Sequence, residues 1–273
     1  MKSNTFRMTI SYVILTILSI IILVPLVAGA ITAFKPQGIW VSSPPVWIFK
    51  PTLENFKIIF IDREQSADLI HSLIIATGAV VIALIIGLPA AYGLARFKFK
   101  GSSQLLSWLI SLRMIPPIVV LLPIYMIFSG LRLVNTYTSL IVMDLTFAIP
   151  LVIWIMRGYF IEIPPSMEEC AMVFGCRRLD ALRRVVFPFV LSGIIATAII
   201  LFIFCWNEYL IALVLSGRDT ETLTVAAATY VSEVQVEWGL LFAMNLIIMT
   251  PIIILTAIFQ RQLVRGLTFG MID

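Results

Sequence analysis

Residues 164–188 read PPSMEECAMVFGCRRLDALRRVVFP. This insert is polar and strongly basic, whereas the segments before and after it are long and apolar. Charged side chains and unpaired backbone groups are costly in hydrocarbon, so an insert of this kind lies outside the lipid, where a partner can contact it. The class of the protein therefore depends on what the flanking segments are and on what the insert contacts.

The composition indicates an integral membrane protein. Of 273 residues, 60% are hydrophobic and 12% are charged, and the mean hydropathy is +1.05. Soluble domains carry about 25% charged residues. The first predicted partner is therefore the lipid bilayer. The net charge of +4 does not indicate a nucleic acid partner, because the basic residues lie at the ends of apolar segments.

The three cysteines are Cys170, Cys176 and Cys205. Their spacing matches neither a disulfide framework nor a metal-binding motif, and no histidine lies near Cys170 and Cys176. We therefore expect free thiols and no metal site.

Six apolar segments are long enough to cross the hydrocarbon layer, which takes about 20 helical residues. The predicted spans are residues 9–34, 70–95, 105–129, 138–157, 187–215 and 239–260. The first could be taken for a signal peptide, because Lys2 and Arg7 precede it, but its apolar run is too long for that. The predicted fold class is all-α, a single polytopic domain over residues 1–273.

The basic residues predict the orientation of the chain, since cytoplasmic loops carry an excess of Lys and Arg. With a cytoplasmic N-terminus, 12 basic residues fall inside and 6 outside. The inside set is Lys2, Arg7, Arg96, Lys98, Lys100, Arg157, Arg177, Arg178, Arg183, Arg184, Arg261 and Arg265. The outside set is Lys35, Lys50, Lys57, Arg63, Arg132 and Arg218. An even number of spans then leaves both termini in the cytoplasm.

Two short helices separated by a glycine are predicted within the insert. Ser166 and Glu169 have the spacing of a capping box, which predicts a helix over 167–174. Gly175 then breaks it, because glycine adopts left-handed backbone conformations freely. A second, amphipathic helix is predicted over 177–186, and Pro188 begins the next span. The alternative is an ordinary solvated basic loop. It is less consistent with a sequence that combines a capping box, a glycine break and an amphipathic helix.

The insert resembles the EAA loop found in permease subunits of ATP-binding-cassette importers. The family pattern is Glu-Ala-Ala, three residues, Gly, a further stretch, and then an apolar residue followed by Pro. The corresponding residues here are Glu169, Cys170, Ala171, Gly175 and the run from Val185 to Pro188. Three positions depart from the pattern: Cys170 replaces an alanine, Phe174 stands where aspartate is common, and Cys176 replaces a small residue.

Further stretches resemble the maltose-type carbohydrate importers, and among them the smaller, MalG-like permease. These are residues 51–56 (PTLENF), 72–73 (SL), 90–97 (AAYGLARF), 206–209 (WNEY) and 260–268 (QRQLVRGLT). The resemblance covers nearly the whole chain.

The resemblance implies an energy-coupled importer in the cytoplasmic membrane of a prokaryote. Residues 160–186 would form a coupling loop seated in a groove of a cytoplasmic ATPase, and a second, related permease would complete the pathway. An extracytoplasmic solute-binding protein would deliver a di- or oligosaccharide, a polyol or a related solute. ATP and Mg would be bound by the ATPase, so no cofactor is expected on this chain.

The resemblance also assigns roles to individual residues. Those expected to couple the chain to the ATPase are Glu168, Glu169, Cys170, Ala171, Gly175, Cys176 and Arg177. Those expected to contact the ATPase from the C-terminal tail are Arg265, Gly266 and Thr268. The sequence contains no Gly-x-x-x-x-Gly-Lys-Ser/Thr phosphate loop, so a transport subunit rather than an enzyme is predicted, with hydrolysis on a partner.

Four polar residues fall inside predicted spans: Arg113, Asp144, Asn207 and Glu208. A charge in hydrocarbon costs several kcal/mol or more unless it is paired or faces water. Two interpretations are open. The four side chains line an aqueous route for solute, or Arg113 pairs with Asp144 or Glu208 and holds helices together.

Two other classes of function are weighed against an importer subunit. A secondary transporter or channel would show inverted repeats with interrupted helices, or a dense relay of intramembrane charges, and neither is evident. An intramembrane enzyme would need a nucleophile with a base or a metal-binding cluster, and the sequence offers none. Co-purification with an ATPase and a second permease separates the importer from the secondary transporter.

Overall fold

A computed structural model describes residues 2–42, 44, 46–97, 99–232 and 235–267, with the side chains of residues 2–7 and 265–267 outside the description. The described chain is almost entirely helical. Its α-helices in chain order are α1 (Lys2–Ala33), α2 (Glu54–Lys57), α3 (Ser66–Arg96), α4 (Ser102–Ser111), α5 (Pro117–Gly130), α6 (Tyr137–Glu162), α7 (Pro165–Val173), α8 (Arg178–Ala181), α9 (Phe187–Trp206), α10 (Leu210–Leu215), α11 (Leu223–Ala228) and α12 (Trp238–Leu267). An isolated antiparallel bridge joins Val231 with Val236.

Five stretches of helix among the described residues are long and apolar enough to cross a membrane, and a sixth is obtained if a bent pair counts as one span. The five are residues 8–33, 66–96, 137–162, 178–206 and 238–264. This agrees with the predicted all-α, polytopic fold class.

The third predicted span, residues 105–129, is not one straight helix. After α4 a single 3₁₀ turn covers Leu112–Met114, and α5 begins at Pro117 with a change of direction of 92°. The two prolines explain the break. Pro116 is extended with ψ of 125°, because a residue that precedes a proline is pushed out of the helical region. Pro117 then starts the next helix at its first position, where a missing amide proton costs nothing.

The fifth predicted span, residues 187–215, also differs from the structure. Its helical path begins earlier, with α8, passes through a π-helical turn over Leu182–Val186, and continues as α9 to Trp206. The path then breaks, and the remaining residues form the separate short helix α10. Helix α9 itself begins at Phe187 with Pro188 in its first turn, as predicted, but it continues a helical path that is already under way in α8. Pro188 lacks an amide proton, and the π-turn just before it marks where the regular hydrogen-bond pattern is interrupted.

The described residues divide into two compact units, one within residues 1–66 and 226–250, the other within residues 67–225 and 251–273. In the first unit, Asn55 is fully buried and its amide donates to the carbonyl oxygens of Ala33 and Lys35, at 2.7 and 2.9 Å. The carbonyls at the end of a helix lack partners within that helix, and Asn55 supplies one for the end of α1.

The second unit contains the helices that carry the insert. A buried apolar cluster at its core includes Ile75, Leu140 and Ile211. Helices α6 and α9 pack along each other, and a Cβ added at Gly193 would lie 2.8 Å from the ring of Tyr159. A larger residue at position 193 would therefore force these two helices apart. The two helices so closely packed are those that enter and leave the insert.

Candidate functional site

The structure forms the predicted helix–glycine–helix arrangement within the insert. We call residues 164–186 the coupling unit; it consists of α7, a glycine turn and α8 with its π-turn. Gly175 has φ of +89°, in the left-handed region predicted for it. At the turn, the amide of Gly175 donates to the carbonyl of Met172 at 3.0 Å, and the amide of Cys176 donates to the carbonyl of Ala171 at 3.1 Å. The glycine therefore closes α7 and redirects the chain into α8.

The predicted capping box is wrong. Helix α7 begins at Pro165, with Pro164 at the N-cap and no side-chain cap. Pro165 has the backbone angle that the first position of a helix requires and no amide proton to leave unpaired. The helix therefore begins one residue before Ser166, which becomes a helical residue instead of a cap.

The far end of α7 carries an apolar tip. Val173 is 85% exposed and Phe174 is 84% exposed. Large apolar side chains this exposed, next to each other and outside the long apolar helices, are typical of a surface that another protein covers. From the sequence, Phe174 stands out only as a departure from the family pattern. Its signal was an aromatic residue directly before a turn-forming glycine.

Exposed charged residues precede and follow the tip in the chain. Glu169 and Cys170 are exposed on α7, and the side chains of Arg177, Arg178, Arg183 and Arg184 are exposed beyond the turn. Ala171 and Cys176 are partly buried. The coupling unit thus presents an apolar tip with one acidic residue before it and several basic residues after it in the chain.

Glu168 differs in burial from the other residues that were predicted to couple the chain to the ATPase. Only 4% of it is exposed, and its carboxylate is held by Arg96 and Tyr92, each through a bond of 2.6 Å. The carboxylate of Glu168 therefore points into the protein and is not part of the exposed surface of the coupling unit. Glu168 and Glu169 are identical neighbours, and the partners of Glu168 lie more than 70 residues away in the chain, so the local pattern does not distinguish the two.

The C-terminal residues are described only in part. Helix α12 continues to Leu267, so the backbone of Arg265 and Gly266 is helical. Their side chains, and all of Thr268, lie outside the described residues.

The structure brings three of the four intramembrane polar residues together. Arg113, Asp144 and Glu208 line one pocket of about 170 Å³ whose other walls are mostly apolar. Asn207 does not take part: it is exposed, and its amide donates to the carbonyl of Ile203 in its own helix at 2.7 Å.

Of the two interpretations of Arg113, the structure does not show the ion pair with Asp144 or Glu208. Among the described residues, the side-chain ion pairs within 4.0 Å join Arg63 with Glu237 and Arg96 with Glu168. The guanidinium of Arg113 instead lies over the ring of Phe204, 5.5 Å from its centroid. Such cation–π contacts contribute about 0.5–2 kcal/mol, and they leave the guanidinium protons available to a ligand.

The two acidic residues of the pocket, Asp144 and Glu208, differ in their hydrogen-bond partners. Glu208 caps helix α10: its two carboxylate oxygens accept the amides of Ile211 and Ala212, each at 2.9 Å. Asp144 is 5% exposed, and within the described residues its Oδ2 has no hydrogen-bond partner. A buried oxygen without a donor is unfavourable by about 1–3 kcal/mol. Asp144 is therefore the acceptor in this pocket that a ligand could satisfy.

These features define a polytopic helical membrane protein with a helix–glycine–helix unit between two of its long helices. A family model described as "Binding-protein-dependent transport system inner membrane component" matches residues 79–269. The chain belongs to this family, and it is therefore a multi-pass permease subunit of an inner membrane transport system. The match includes the coupling unit and the polar pocket, and it decides against the secondary transporter or channel.

Several similar proteins are permeases of sugar transport systems. The chain is 32% identical over 100% of its length to 99% of the diacetylchitobiose uptake system permease DasC of Streptomyces coelicolor. It is 36% identical over 81% of its length to 82% of the trehalose transport system permease SugB of Mycobacterium tuberculosis. It is 30% identical over 93% of its length to 92% of the trehalose/maltose permease MalG of Thermococcus litoralis.

One solved structure has a similar fold. It is a chain of a bacterial ABC transporter that imports the acidic polysaccharide alginate, with a TM-score of 0.75 and 19% identity, over 96% of this chain and 98% of that one. At this identity the likeness shows the fold alone.

Proposed function

We propose that this chain is the permease subunit of an ATP-driven importer that moves a carbohydrate across the cytoplasmic membrane. The family of the chain supports an importer, and the sugars named for its relatives support a di- or oligosaccharide as the solute. The observation that carries the proposal is the coupling unit. It is a stiff, bent element with an exposed apolar tip, attached directly to two long membrane helices.

The attachment makes mechanical coupling possible. Helix α7 follows α6 through an extended corner at Ile163 and Pro164, and α8 continues through its π-turn into α9. A push on the coupling unit therefore reaches both helices without a flexible linker to absorb it. Packed helices respond to such a push by moving between discrete arrangements, not by gradual deformation.

The energy source in this proposal is a partner. A cytoplasmic ATPase binds ATP and Mg and covers the tip at Phe174, and its closure on nucleotide moves the coupling unit. The C-terminal tail, residues 261–273, reaches the same ATPase. A second permease and an extracytoplasmic solute-binding protein complete the system. Both termini and the coupling unit then lie on the cytoplasmic side, as the distribution of Lys and Arg favours.

The polar pocket is proposed as part of the solute route. A sugar offers hydroxyl groups that donate and accept, together with apolar ring faces. The free Oδ2 of Asp144 accepts such a donor, the guanidinium of Arg113 donates to a hydroxyl oxygen, and the ring of Phe204 offers an apolar face. Charged side chains within membrane-spanning segments usually face the interior of the helix bundle or a water-filled cavity.

Reconstitution tests the proposal directly. The chain is purified from membranes with its bound proteins, placed in liposomes with the candidate binding protein, and given a panel of labelled sugars with and without ATP. Uptake that needs ATP, the binding protein and an associated ATPase is expected for at least one sugar. Uptake driven by an ion gradient without any ATPase would contradict the proposal.

A further inference from the structure

Three side chains join the end of helix α3 to the coupling unit. Arg96 Nε donates to Glu168 Oε1 at 2.6 Å, and the hydroxyl of Tyr92 donates to Glu168 Oε2 at 2.6 Å. The side chains of Arg96 and Glu168 are only 8% and 6% exposed. We call Tyr92, Arg96 and Glu168 the latch. Both oxygens of one buried carboxylate are thus fixed by residues of a helix that is distant in sequence.

Arg96 also holds the corner before α7. Its Nη1 donates to the carbonyl of Phe160 at 2.7 Å, and its Nη2 donates to the carbonyl of Ile163 at 3.0 Å. Carbonyls at the end of a helix have no partner within that helix. One planar guanidinium therefore binds the end of α3, the end of α6 and the first turn of α7, in a geometry that a lysine ammonium cannot reproduce.

A second contact repeats the connection on the other side of the glycine turn. The guanidinium of Arg178, the first residue of α8, lies over the ring of Phe97 at 5.0 Å. Phe97 directly follows the last residue of α3 and packs edge-to-face on Tyr92, with ring centroids 6.4 Å apart. Both helices of the coupling unit therefore contact the same end of α3.

We propose that the latch is a positioning device that carries movement of the coupling unit into helix α3. The inference rests on the proposed function, in which an ATPase moves that unit. Helices α6 and α9 follow the coupling unit because they are joined to it in the chain. Helix α3 is not joined to the coupling unit in the chain, and the latch connects the two directly. Charge-assisted hydrogen bonds in a buried site are short and directional, so they transmit displacement instead of absorbing it.

Loss of the latch should uncouple transport from hydrolysis. The ATPase would still bind the exposed tip and hydrolyse ATP, while α3 would no longer follow the coupling unit. In Arg96→Gln and Glu168→Gln, the amount of solute taken up per ATP hydrolysed is expected to fall about fivefold or more. The ratio of solute to ATP should fall less in Arg96→Lys, because the lysine keeps one charged bond, and least in Tyr92→Phe.

Matched controls lie next to the latch. Glu162→Gln removes an exposed carboxylate at the end of α6, and Arg157→Gln removes a 3.4 Å bond from α6 to the carbonyl of Leu94 in α3. Neither group bonds to the coupling unit, and the α6–α3 bond lost in Arg157→Gln is long and leaves the latch intact, so both variants should keep the wild-type ratio of solute to ATP. All variants are compared in liposomes that contain the complete complex, at equal amounts of bound ATPase.

A double variant separates loss of coupling from loss of folding. A single variant leaves one buried charge unpaired, whereas Arg96→Met with Glu168→Leu removes both charges. Replacing both members of a buried ion pair with apolar residues is often neutral for stability. The double variant is expected to assemble with the ATPase and still to lose about fivefold or more in solute per ATP. A ratio within about twofold of wild type in the assembled double variant would overturn the proposal.

A spectroscopic measurement separates the latch from the proposed function. A nitroxide is attached to Cys170, which is exposed on α7, in the full chain with Cys176 and Cys205 replaced by serine. Arg96→Gln is expected to sharpen its spectrum, because α7 loses an anchor, and Arg157→Gln is not. An unchanged spectrum in Arg96→Gln would overturn the latch. Absence of ATP-driven uptake by the wild-type complex, with the spectrum sharpened, would overturn the proposed function alone.

Discussion

At the scale of single residues, Gly175 sets the shape of the coupling unit. Its φ is +89°, and a Cβ built at this position would meet nothing within 4 Å. The glycine is therefore required by the backbone conformation and not by lack of space. A residue with a side chain would pay about 1–2 kcal/mol to remain left-handed, or it would let α7 and α8 change their relative direction.

Gly175→Ala is predicted to lower the amount of solute taken up per ATP about tenfold, because a changed turn moves the tip relative to α9. Gly101→Ala is the matched control: Gly101 has φ of +93° and equally open surroundings, but it lies in the turn before α4. The two variants carry the same backbone strain. Uptake and hydrolysis measured on both complexes should differ only for Gly175→Ala, and equal ratios in the two would refute this role of the turn.

Phe174 is predicted to provide much of the affinity for the ATPase. It is 84% exposed, so its burial by a partner would contribute to binding without a cost to the fold. Phe174→Ala should weaken binding of the ATPase about tenfold, or by about 1.4 kcal/mol. The measurement is a titration of the permease in nanodiscs with the ATPase. Phe189, 61% exposed on α9, is the control. Phe189→Ala should leave ATPase affinity unchanged, and an equal loss in both would argue against a specific contact at the tip.

At the scale of elements, α10 depends on Glu208. This helix has six residues, and its first two free amides after Leu210 are accepted by the two oxygens of Glu208. A carboxylate at a helix N-terminus also interacts favourably with the helix dipole. Glu208, which the sequence suggested as a possible contact for solute, thus stabilises the start of a helix.

Glu208→Ala is predicted to destabilise the chain by about 1 kcal/mol, the usual cost of losing an N-terminal cap. In a protein of this size that corresponds to a thermal midpoint lower by about 2–4 °C. Glu208→Gln should lose less, because its amide oxygen still accepts one bond. Asn207→Ala, at the exposed neighbour, should not shift the midpoint in a thermal unfolding experiment in detergent. Equal midpoints for Glu208→Ala and Asn207→Ala would show that the cap is dispensable.

Local signals made much of the coupling unit predictable. The glycine turn at Gly175 and a short helix before it follow from residues that are close in the chain, and the structure has both. The cap at Ser166 was predicted wrongly because two local rules compete there, and a proline at the first helical position outweighs a capping serine. Such a competition is decided by backbone geometry that a pattern of residue types does not contain.

Contacts between distant residues were not predictable in the same way. Glu168 and Arg96 are 72 residues apart, and the predicted coupling role of Glu168 did not indicate that its carboxylate is buried against Arg96. Pairing with an acid was one of two interpretations of Arg113, and its guanidinium lies over the ring of Phe204 instead. In both cases the partner depends on how helices pack. The pattern of apolar residues establishes that a helix crosses the membrane, but not which of its faces meets which neighbour.

At the scale of the whole molecule, the orientation of the chain in the membrane is the step that connects the coupling unit to an ATPase. A membrane-impermeant maleimide is predicted to modify Cys170 in inside-out vesicles and not in intact cells, with Cys176 and Cys205 replaced by alanine. Cys170 is exposed on α7, so its reactivity is governed by the side of the membrane on which it lies. Added ATPase should slow the reaction in vesicles, because it covers the neighbouring tip.

Arg218→Cys, in the same background with Cys170 also replaced, gives the opposite control. Arg218 is exposed in the segment between α10 and α11, on the side assigned to the exterior by the distribution of basic residues. It should react in intact cells and be protected in sealed inside-out vesicles. If Cys170 reacts from outside the cell, the coupling unit faces away from ATP, and a cytoplasmic ATPase cannot drive this chain. If both sites react as predicted, the basic residues, the exposed tip and the energy source lie on one side of the membrane.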